Sequence, residues 1–273
     1  MKYISEYRDS AIAKEITKKI AEEVRPDRTY RLMEFCGGHT HVLSRYGLEN
    51  ILPKNVEMIH GPGCPVCVMP IGRIDSAIEL AVKHHVILCT YADTMRVPAS
   101  GGISMMKAKA QGADIRMVYS VSDAYRIAKE NPDKEVVFFA IGFETTTPPT
   151  AVVLKQAKAE NIKNFSVFCN HVLTPAAMKH ILNNPNGVKI DGIVGPAHVS
   201  TIIGSDPYKE LAEKYKKSVV VAGFEPLDML QAILMLIKQI NDGRAEVENE
   251  FIRAVKPEGN VKAINLMKEV FDI

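Results

Sequence analysis

The sequence predicts an α/β protein built on parallel sheets, and three observations carry that prediction. Near-continuous apolar runs, Val86-Ile87-Leu88-Cys89, Val136-Val137-Phe138-Phe139 and Val219-Val220-Val221-Ala222, suit strands buried on both faces. Segments with apolar residues at helical spacing alternate with these runs, which is the rhythm of βα units. Turn-forming clusters, Asn131-Pro132-Asp133 and Asn183-Asn184-Pro185-Asn186-Gly187, break the chain ahead of strands.

Taken in order, strands are expected to begin near Tyr30, Val56, His85, Ile115, Glu135, Asn164, Ile190 and Ser218. After the second, Ile71, Ile74, Ile78, Ala81 and Val82 recur at helical spacing, with Pro70 placed to start the helix. After the last, Leu227, Leu230, Ile233, Leu234, Ile237 and Ile240 mark a strongly apolar helix that stops near Asn241-Asp242-Gly243. The tail from Arg244 to Ile273 reads as helices joined around Pro257-Glu258-Gly259. Repeated βα units fit a (β/α)₈ barrel as well as two doubly wound domains, and periodicity alone does not separate them. In both, the carboxyl ends of the strands carry the functional loops.

Composition narrows the function. A chain of 273 residues, 47% hydrophobic and 24% charged, can bury a substantial core. A formal net charge of +2 gives no global field for nucleic acid, and Lys214 to Lys217 reads as a solvated helix face. The charged start, Met1-Lys2-Tyr3-Ile4-Ser5-Glu6, lacks the apolar core of a signal peptide. The longest apolar stretch, Met229 to Ile237, includes Gln231 and is too short to span a bilayer. The expectation is a cytoplasmic protein without nucleic-acid or membrane partners. In that reducing compartment, five cysteines form a poor disulfide framework and a better metal or redox inventory.

Two motifs concentrate that inventory. Cys36-Gly37-Gly38-His39-Thr40-His41 offers a thiol and an imidazole in one tight loop, and these soft ligands favour iron, zinc or copper over magnesium. Cys36 and His39 are the preferred ligands over His41, while Thr40 reads as a helix N-cap. Gly61-Pro62-Gly63-Cys64-Pro65-Val66-Cys67 places a Cys-X-X-Cys pair ahead of a helix, where two thiols can close a disulfide or hold a metal. No second such pair completes a structural zinc site, and Cys89 and Cys169 fall within or at the end of apolar runs.

Histidines His39, His41, His60, His171 and His198 all follow directly on expected strands, with Asp93, Glu144 and Glu225 as acidic companions. That distribution gathers polar groups at one sheet edge. Gly142-Phe143-Glu144-Thr145-Thr146-Thr147-Pro148-Pro149 reads as strand end and helix start, with Glu144 available as acid, base or acceptor. Gly223-Phe224-Glu225-Pro226 echoes it after the last strand. Neither a Gly-X-Gly-X-X-Gly fingerprint nor a phosphate loop occurs, so a nucleotide cofactor has no support.

Together these stretches resemble the HypD family of hydrogenase maturation factors. The resemblance rests on Met33-Glu34-Phe35-Cys36-Gly37-Gly38-His39-Thr40-His41, Ile59-His60-Gly61-Pro62-Gly63-Cys64-Pro65-Val66-Cys67 and Gly142-Phe143-Glu144-Thr145-Thr146. Pro196-Ala197-His198-Val199-Ser200 and Val221-Ala222-Gly223-Phe224-Glu225-Pro226-Leu227 extend it over essentially the whole chain. It implies two α/β/α sandwich domains whose parallel sheets face a central cleft, in preference to the barrel. It also implies a metal-carrying assembly scaffold with thiol redox chemistry.

In that reading the chain works with a HypC-type chaperone and carries iron as Fe(CN)₂(CO). Cyanide comes from HypE/HypF proteins, and the group passes on to the precursor of the hydrogenase large subunit. The resemblance implies Cys36 as iron ligand with His39 beside it, and Cys64 and Cys67 as a redox pair; the residues themselves offer His39, Glu144 and His198 as cleft groups to bind the cofactor. Family members continue into a cysteine-rich region that holds a [4Fe-4S] cluster. No cysteine follows Cys169 here, so that cluster is not expected in this chain.

The expected layout is an N-terminal helical segment (1–25), a first α/β domain with the cysteine motifs (26–112 with 218–243), a second (113–217) and a helical tail (244–273). Two competing readings use the same residues. A thiol-disulfide oxidoreductase would need only Cys64 and Cys67. A metal-dependent hydrolase in a barrel would draw a carboxylate from Asp93 or Glu144.

Overall fold

A computed structural model of the chain describes residues 4–272. Met1 to Tyr3 of the expected N-terminal segment and Ile273 of the expected tail lie outside the described residues. All eight expected strands are present: β1 (Tyr30–Glu34), β2 (Val56–His60), β3 (Ile87–Thr90), β4 (Ile115–Met117), β5 (Val136–Gly142), β6 (Phe165–His171), β7 (Gly192–Pro196) and β8 (Ser218–Ala222). A ninth, β9 (Val247–Asn249), falls in the tail that was expected to be helical. Its three residues are half-buried and give too short a pattern to stand out from the flanking polar sequence.

The strands form two parallel sheets, ordered β2-β1-β7-β8-β9 and β4-β3-β5-β6, and among the described residues no closed barrel. Side chains alternate across each sheet with period two, so both faces must be covered. In the first sheet Val220 and Ala222 of β8 enter one core with Leu32, Leu43 and Ile233. Their neighbours Val219 and Val221 enter another, with Ile193, Tyr208 and Leu211. The second sheet repeats the device. Val137, Phe139 and Ile141 of β5 pack with Leu88, Ile74 and Met105, while Val136, Phe138 and Ala140 pack with Cys89, Tyr125 and Val153. These are the two α/β/α sandwiches that the family resemblance implied.

The chain divides into two compact units. One comprises the described residues up to Cys64 together with Thr174–Val261, and the other Pro65–Leu173 together with the described residues from Lys262 onward. The expected boundaries at 112 and 217 are therefore misplaced. Strand β3 pairs with β4 and β5, which draws the segment after Cys64 into the second sheet. Strand β7 pairs with β1 and β8, which returns the chain to the first sheet well before Ser218. The tail is likewise shared, since β9 edges the first sheet and the helix Val261–Val270 lies almost wholly in the second unit.

Three helix ends fall where the sequence signals them. Pro70 takes the N-cap position of the helix Ile71–Lys83. Pro226 opens the helix Pro226–Asn241, whose end is fixed by Asn241. The Asn241 amide donates to the Glu23 carbonyl at 2.7 Å, and its Oδ1 accepts from the Tyr30 hydroxyl at 2.6 Å. That hydroxyl in turn accepts the Arg25 N–H at 3.0 Å. One buried phenol thus joins the end of the N-terminal helix Ser10–Glu23 to β1 and the longest helix of its unit.

Replacing Tyr30 with Phe strips both partners while keeping the ring. The expected loss is about 1–3 kcal/mol of stability, the usual penalty for stranding a buried polar partner. Urea unfolding followed by circular dichroism measures it. A midpoint equal to that of the parent would show that the phenol hydroxyl contributes nothing.

Candidate functional site

In the first unit the connections from β1 and β7 leave along the sheet in opposite directions, β1 to β2 and β7 to β8. Adjacent strands with diverging connections open a crevice at their carboxyl ends, the usual binding position in open α/β sheets. Cys36 follows β1 there, and His198 follows β7. The Cys36 Sγ and His198 Nδ1 lie 3.2 Å apart. Sequence order separates these residues by 162 positions, and strand pairing brings them together.

Cys36 is the N-cap of the helix Gly37–Arg45, its thiol accepting from the Gly38 N–H at 3.4 Å. The glycines expected to form a loop are thus the first helical turn. Gly38 is required by contact, because a β-carbon there would stand 2.8 Å from the Phe224 ring. Burial pushes the Cys36 thiol up; the Gly38 and His39 backbone groups pull it down, and the nearby Glu34 charge raises it again. Burial also pushes the His198 imidazole down. Around neutral pH the pair is therefore a thiol facing a neutral imidazole.

His39 is fully buried, and its Nε2 lies 3.0 Å from the Ala222 carbonyl oxygen. Its Nδ1 has no hydrogen-bond partner among the described residues. Burial first, then the neighbouring His198, pushes its pKa down to about 4, against the raising effect of the Ala222 and Gly223 carbonyls. The Phe224 ring sits 5.0 Å from the His39 ring and 5.9 Å from that of His198, so one aromatic side chain lies against both imidazoles. His41 lies on the exposed side of the same helix, away from this group.

Sequence reading missed Glu34. This carboxylate is fully buried at the end of β1 and satisfied on both oxygens. Oε2 accepts the Cys36 N–H at 2.7 Å. Oε1 accepts the Thr40 hydroxyl and lies 2.9 Å from His60 Nδ1. Thr40 is thus not the N-cap; it sits inside the helix and serves Glu34. A glutamate within the apolar run before Cys36 was the available signal, since a buried charge survives only when fully hydrogen-bonded.

The two cysteine motifs meet here. Gly61 donates its N–H to the Glu34 carbonyl at 2.8 Å. Gly63 lies so close that a β-carbon on it would stand 2.5 Å from the Gly37 nitrogen and 2.8 Å from Cys36 Cα. Cys64 and Cys67 are disulfide-bonded, with Cys64 half-buried and Cys67 exposed. Among the described residues, no group of three or more His, Cys, Asp or Glu side chains is arranged to hold a metal ion.

Other expected site residues lie in the second unit. Glu144 follows β5 and is buried at 1% exposure. Gly142 before it has φ of +153°, and a β-carbon there would clash with Thr146, whose hydroxyl donates to the Phe143 carbonyl at 2.9 Å instead of capping the helix Thr147–Ala159. Asp93 caps its own short turn, accepting the Thr94 N–H at 2.9 Å. His171 stands 3.4 Å from the exposed Cys169 thiol, and burial pushes its pKa down to about 4. Cys89 is a core residue, its thiol pushed up to about 12 by burial.

A family model described as the hydrogenase formation hypA family, HypD, matches residues 11–273. The chain belongs to the HypD family. Hydrogenase maturation factor HypD of Rhizobium leguminosarum bv. viciae is 62% identical over 278 residues, covering 100% of this chain and 72% of the relative. Hydrogenase expression/formation protein HupD of Azotobacter chroococcum mcd 1 is 61% identical over 277 residues, with 100% and 73% covered. Hydrogenase maturation factor HypD of Escherichia coli (strain K12) is 46% identical over 277 residues, with 99% and 74% covered. Among the described residues no helix is long and apolar enough to cross a membrane.

Two pH effects follow. With Cys169 replaced by Ser, iodoacetamide should label Cys36 appreciably only above the ordinary thiol range, near about pH 8.5. Rapid labelling at neutral pH, read by mass spectrometry, would contradict a buried thiol. His39 and His171 are neutral in both folded and unfolded chains above their ordinary value of 6.5. Between 6.5 and about 4 the unfolded chain takes up those protons first, so stability falls as pH falls through that window. Urea midpoints should drop across it, and less so in His39→Gln and His171→Gln.

Proposed function

We propose that this chain is a hydrogenase maturation scaffold on which Cys36 carries an iron group as cargo. The observation that carries the reading is the Cys36 thiol, 3.2 Å from His198 Nδ1, at the crevice where the connections of the first sheet diverge. Iron takes a cysteine as thiolate, so the thiol proton must leave. A neutral imidazole in hydrogen-bond contact is the acceptor for it. His39, with Nε2 committed to Ala222, presents only Nδ1 to a second bond. Its ring is locked against Phe224, which suits a ligand or a close neighbour of the metal.

The cargo is iron bearing two cyanides and one carbon monoxide. Those strong-field ligands keep iron low-spin, and a soft thiolate in a water-poor pocket matches it. The small number of side chains around Cys36 leaves coordination positions for a thiolate of a HypC-type chaperone. HypE/HypF proteins supply the cyanide, and the hydrogenase large subunit precursor receives the finished group. Cys64 and Cys67 act as the redox pair, cycling between the disulfide and two thiols with two electrons and two protons exchanged with an external dithiol or disulfide. The reactions belong to a protein working in the cytoplasm.

A second reading, thiol-disulfide oxidoreductase, is favoured by the disulfide itself with Cys67 exposed to a partner thiol. It gives the Cys36–His198 pair no task.

Infrared spectra of the chain purified with its HypC-type chaperone should show bands of iron-bound cyanide and carbon monoxide. Cys36→Ala should abolish them, and His198→Ala should lower their yield several-fold by removing the proton acceptor. Bands that persist in Cys36→Ala would overturn Cys36 as the iron ligand. Dithiol-dependent turnover with no such bands would favour the oxidoreductase.

A further inference from the structure

The carboxylate of Glu34 lies at the junction of the two cysteine motifs and touches both. From the first motif it holds the Cys36 N–H at 2.7 Å and the Thr40 hydroxyl. From the second it holds His60 at 2.9 Å, while the Glu34 carbonyl holds the Gly61 N–H at 2.8 Å. His60 is the entry to Gly61-Pro62-Gly63-Cys64, and its side chain is 46% exposed where that of Glu34 is 1% exposed. Between the same segments, Gly63 leaves no room even for a methyl group against Cys36 and Gly37.

Such a contact cannot absorb a change on one side only. Opening the Cys64–Cys67 disulfide would remove a tie on a loop whose near end, Gly63, packs on the backbone of Cys36 and Gly37. Close-packed atoms pass that displacement on, and the Glu34 bridge sets where each side comes to rest. We propose that Glu34, acting with His60, is the positioning residue that couples the redox state of Cys64–Cys67 to the environment of the Cys36 thiol. The inference rests on the redox role assigned above to Cys64 and Cys67.

Coupling between two sites is reciprocal. If the disulfide influences Cys36, then a change at Cys36 must shift the reduction potential of the disulfide. The test is a double-mutant cycle on the full chain, with Cys169→Ser as background. The Cys64–Cys67 couple is titrated against dithiothreitol buffers, where dithiothreitol is oxidised to its cyclic disulfide as the protein disulfide becomes two thiols. Alkylated and unalkylated forms are counted by mass spectrometry.

Cys36→Ser should shift the equilibrium at least fivefold in the Glu34-containing chain, about 20 mV for a two-electron couple. In Glu34→Gln, which keeps the shape and loses the charge, that shift should fall to less than half. His60→Ala gives a second route, because it cuts the bridge at a half-exposed side chain whose removal leaves the core intact. Circular dichroism checks that each variant is folded.

An additive cycle, with Cys36→Ser acting equally in all three backgrounds, overturns the proposal and leaves the redox role standing. So does a shift below fivefold in the parent chain. A disulfide that excess dithiothreitol does not reduce removes the redox role itself, and the coupling with it.

Discussion

A parallel strand buried on both faces is the constraint on which the rest of this structure depends. Once β1, β7 and β8 are covered by helices above and below, the edge where these strands end is left open to a ligand. Register then decides which side chains meet there. Glu34 pairs with Val194, so the residues just beyond, Cys36 on one strand and His198 on the other, emerge side by side. Gly192 in β7 shows how tightly the layers are set, since a β-carbon there would stand 3.1 Å from Leu236 and 3.2 Å from Leu32.

Behind the site, a buried carboxylate is answered through one of its oxygens. Asp228 is fully buried in the helix Pro226–Asn241, accepting from the Glu225 N–H at 3.1 Å and pairing with Arg253 at 2.5 Å. The Arg253 guanidinium lies over the rings of Tyr7 and Phe251, at 3.9 and 4.1 Å. Glu250 joins the cluster, its carboxyl pushed up by burial and then by Asp228. Arg8 grips Glu225 with two donors, at 2.5 and 2.8 Å. These contacts clamp the segment Gly223-Phe224-Glu225, which supplies the ring beside both imidazoles. The Ala222 carbonyl that orients His39 directly precedes it. Removing one partner from such a cluster costs more than the pair contributes, because the remaining charge is left buried.

Much of this was legible in the residues. Apolar runs located eight strands to within about two residues, as expected when a strand must be apolar on both faces. Prolines marked the starts of two helices, and Asn241 the end of one. Cys36, His39, His60 and His198 lie in one unit, whereas Asp93, Glu144 and His171, expected at the same sheet edge, lie in the other. What stayed hidden depends on pairing between distant segments. The order β2-β1-β7-β8-β9 has no local signature, so the unit boundaries were misplaced by tens of residues. Strand β9 is too short to show a period. Glu34 looked like part of a motif, and only the fold shows it bonded to Cys36, Thr40 and His60. Thr40 had the right chemistry for a cap, but the strand ends six residues earlier, at Glu34, and Cys36 takes that position.

The interleaved chain path also sets an order of events during synthesis. Residues 65–173 supply the whole sheet of one unit, so most of it can form while the ribosome is still working. The other unit waits, because β1 pairs with β7 across more than 150 residues of sequence, as Leu32 with Gly192 shows. Until His198 and the Phe224 segment emerge, the Cys36 thiol has neither its imidazole nor its aromatic wall. The chain is thus built so that its thiol site matures late, after the other sheet exists.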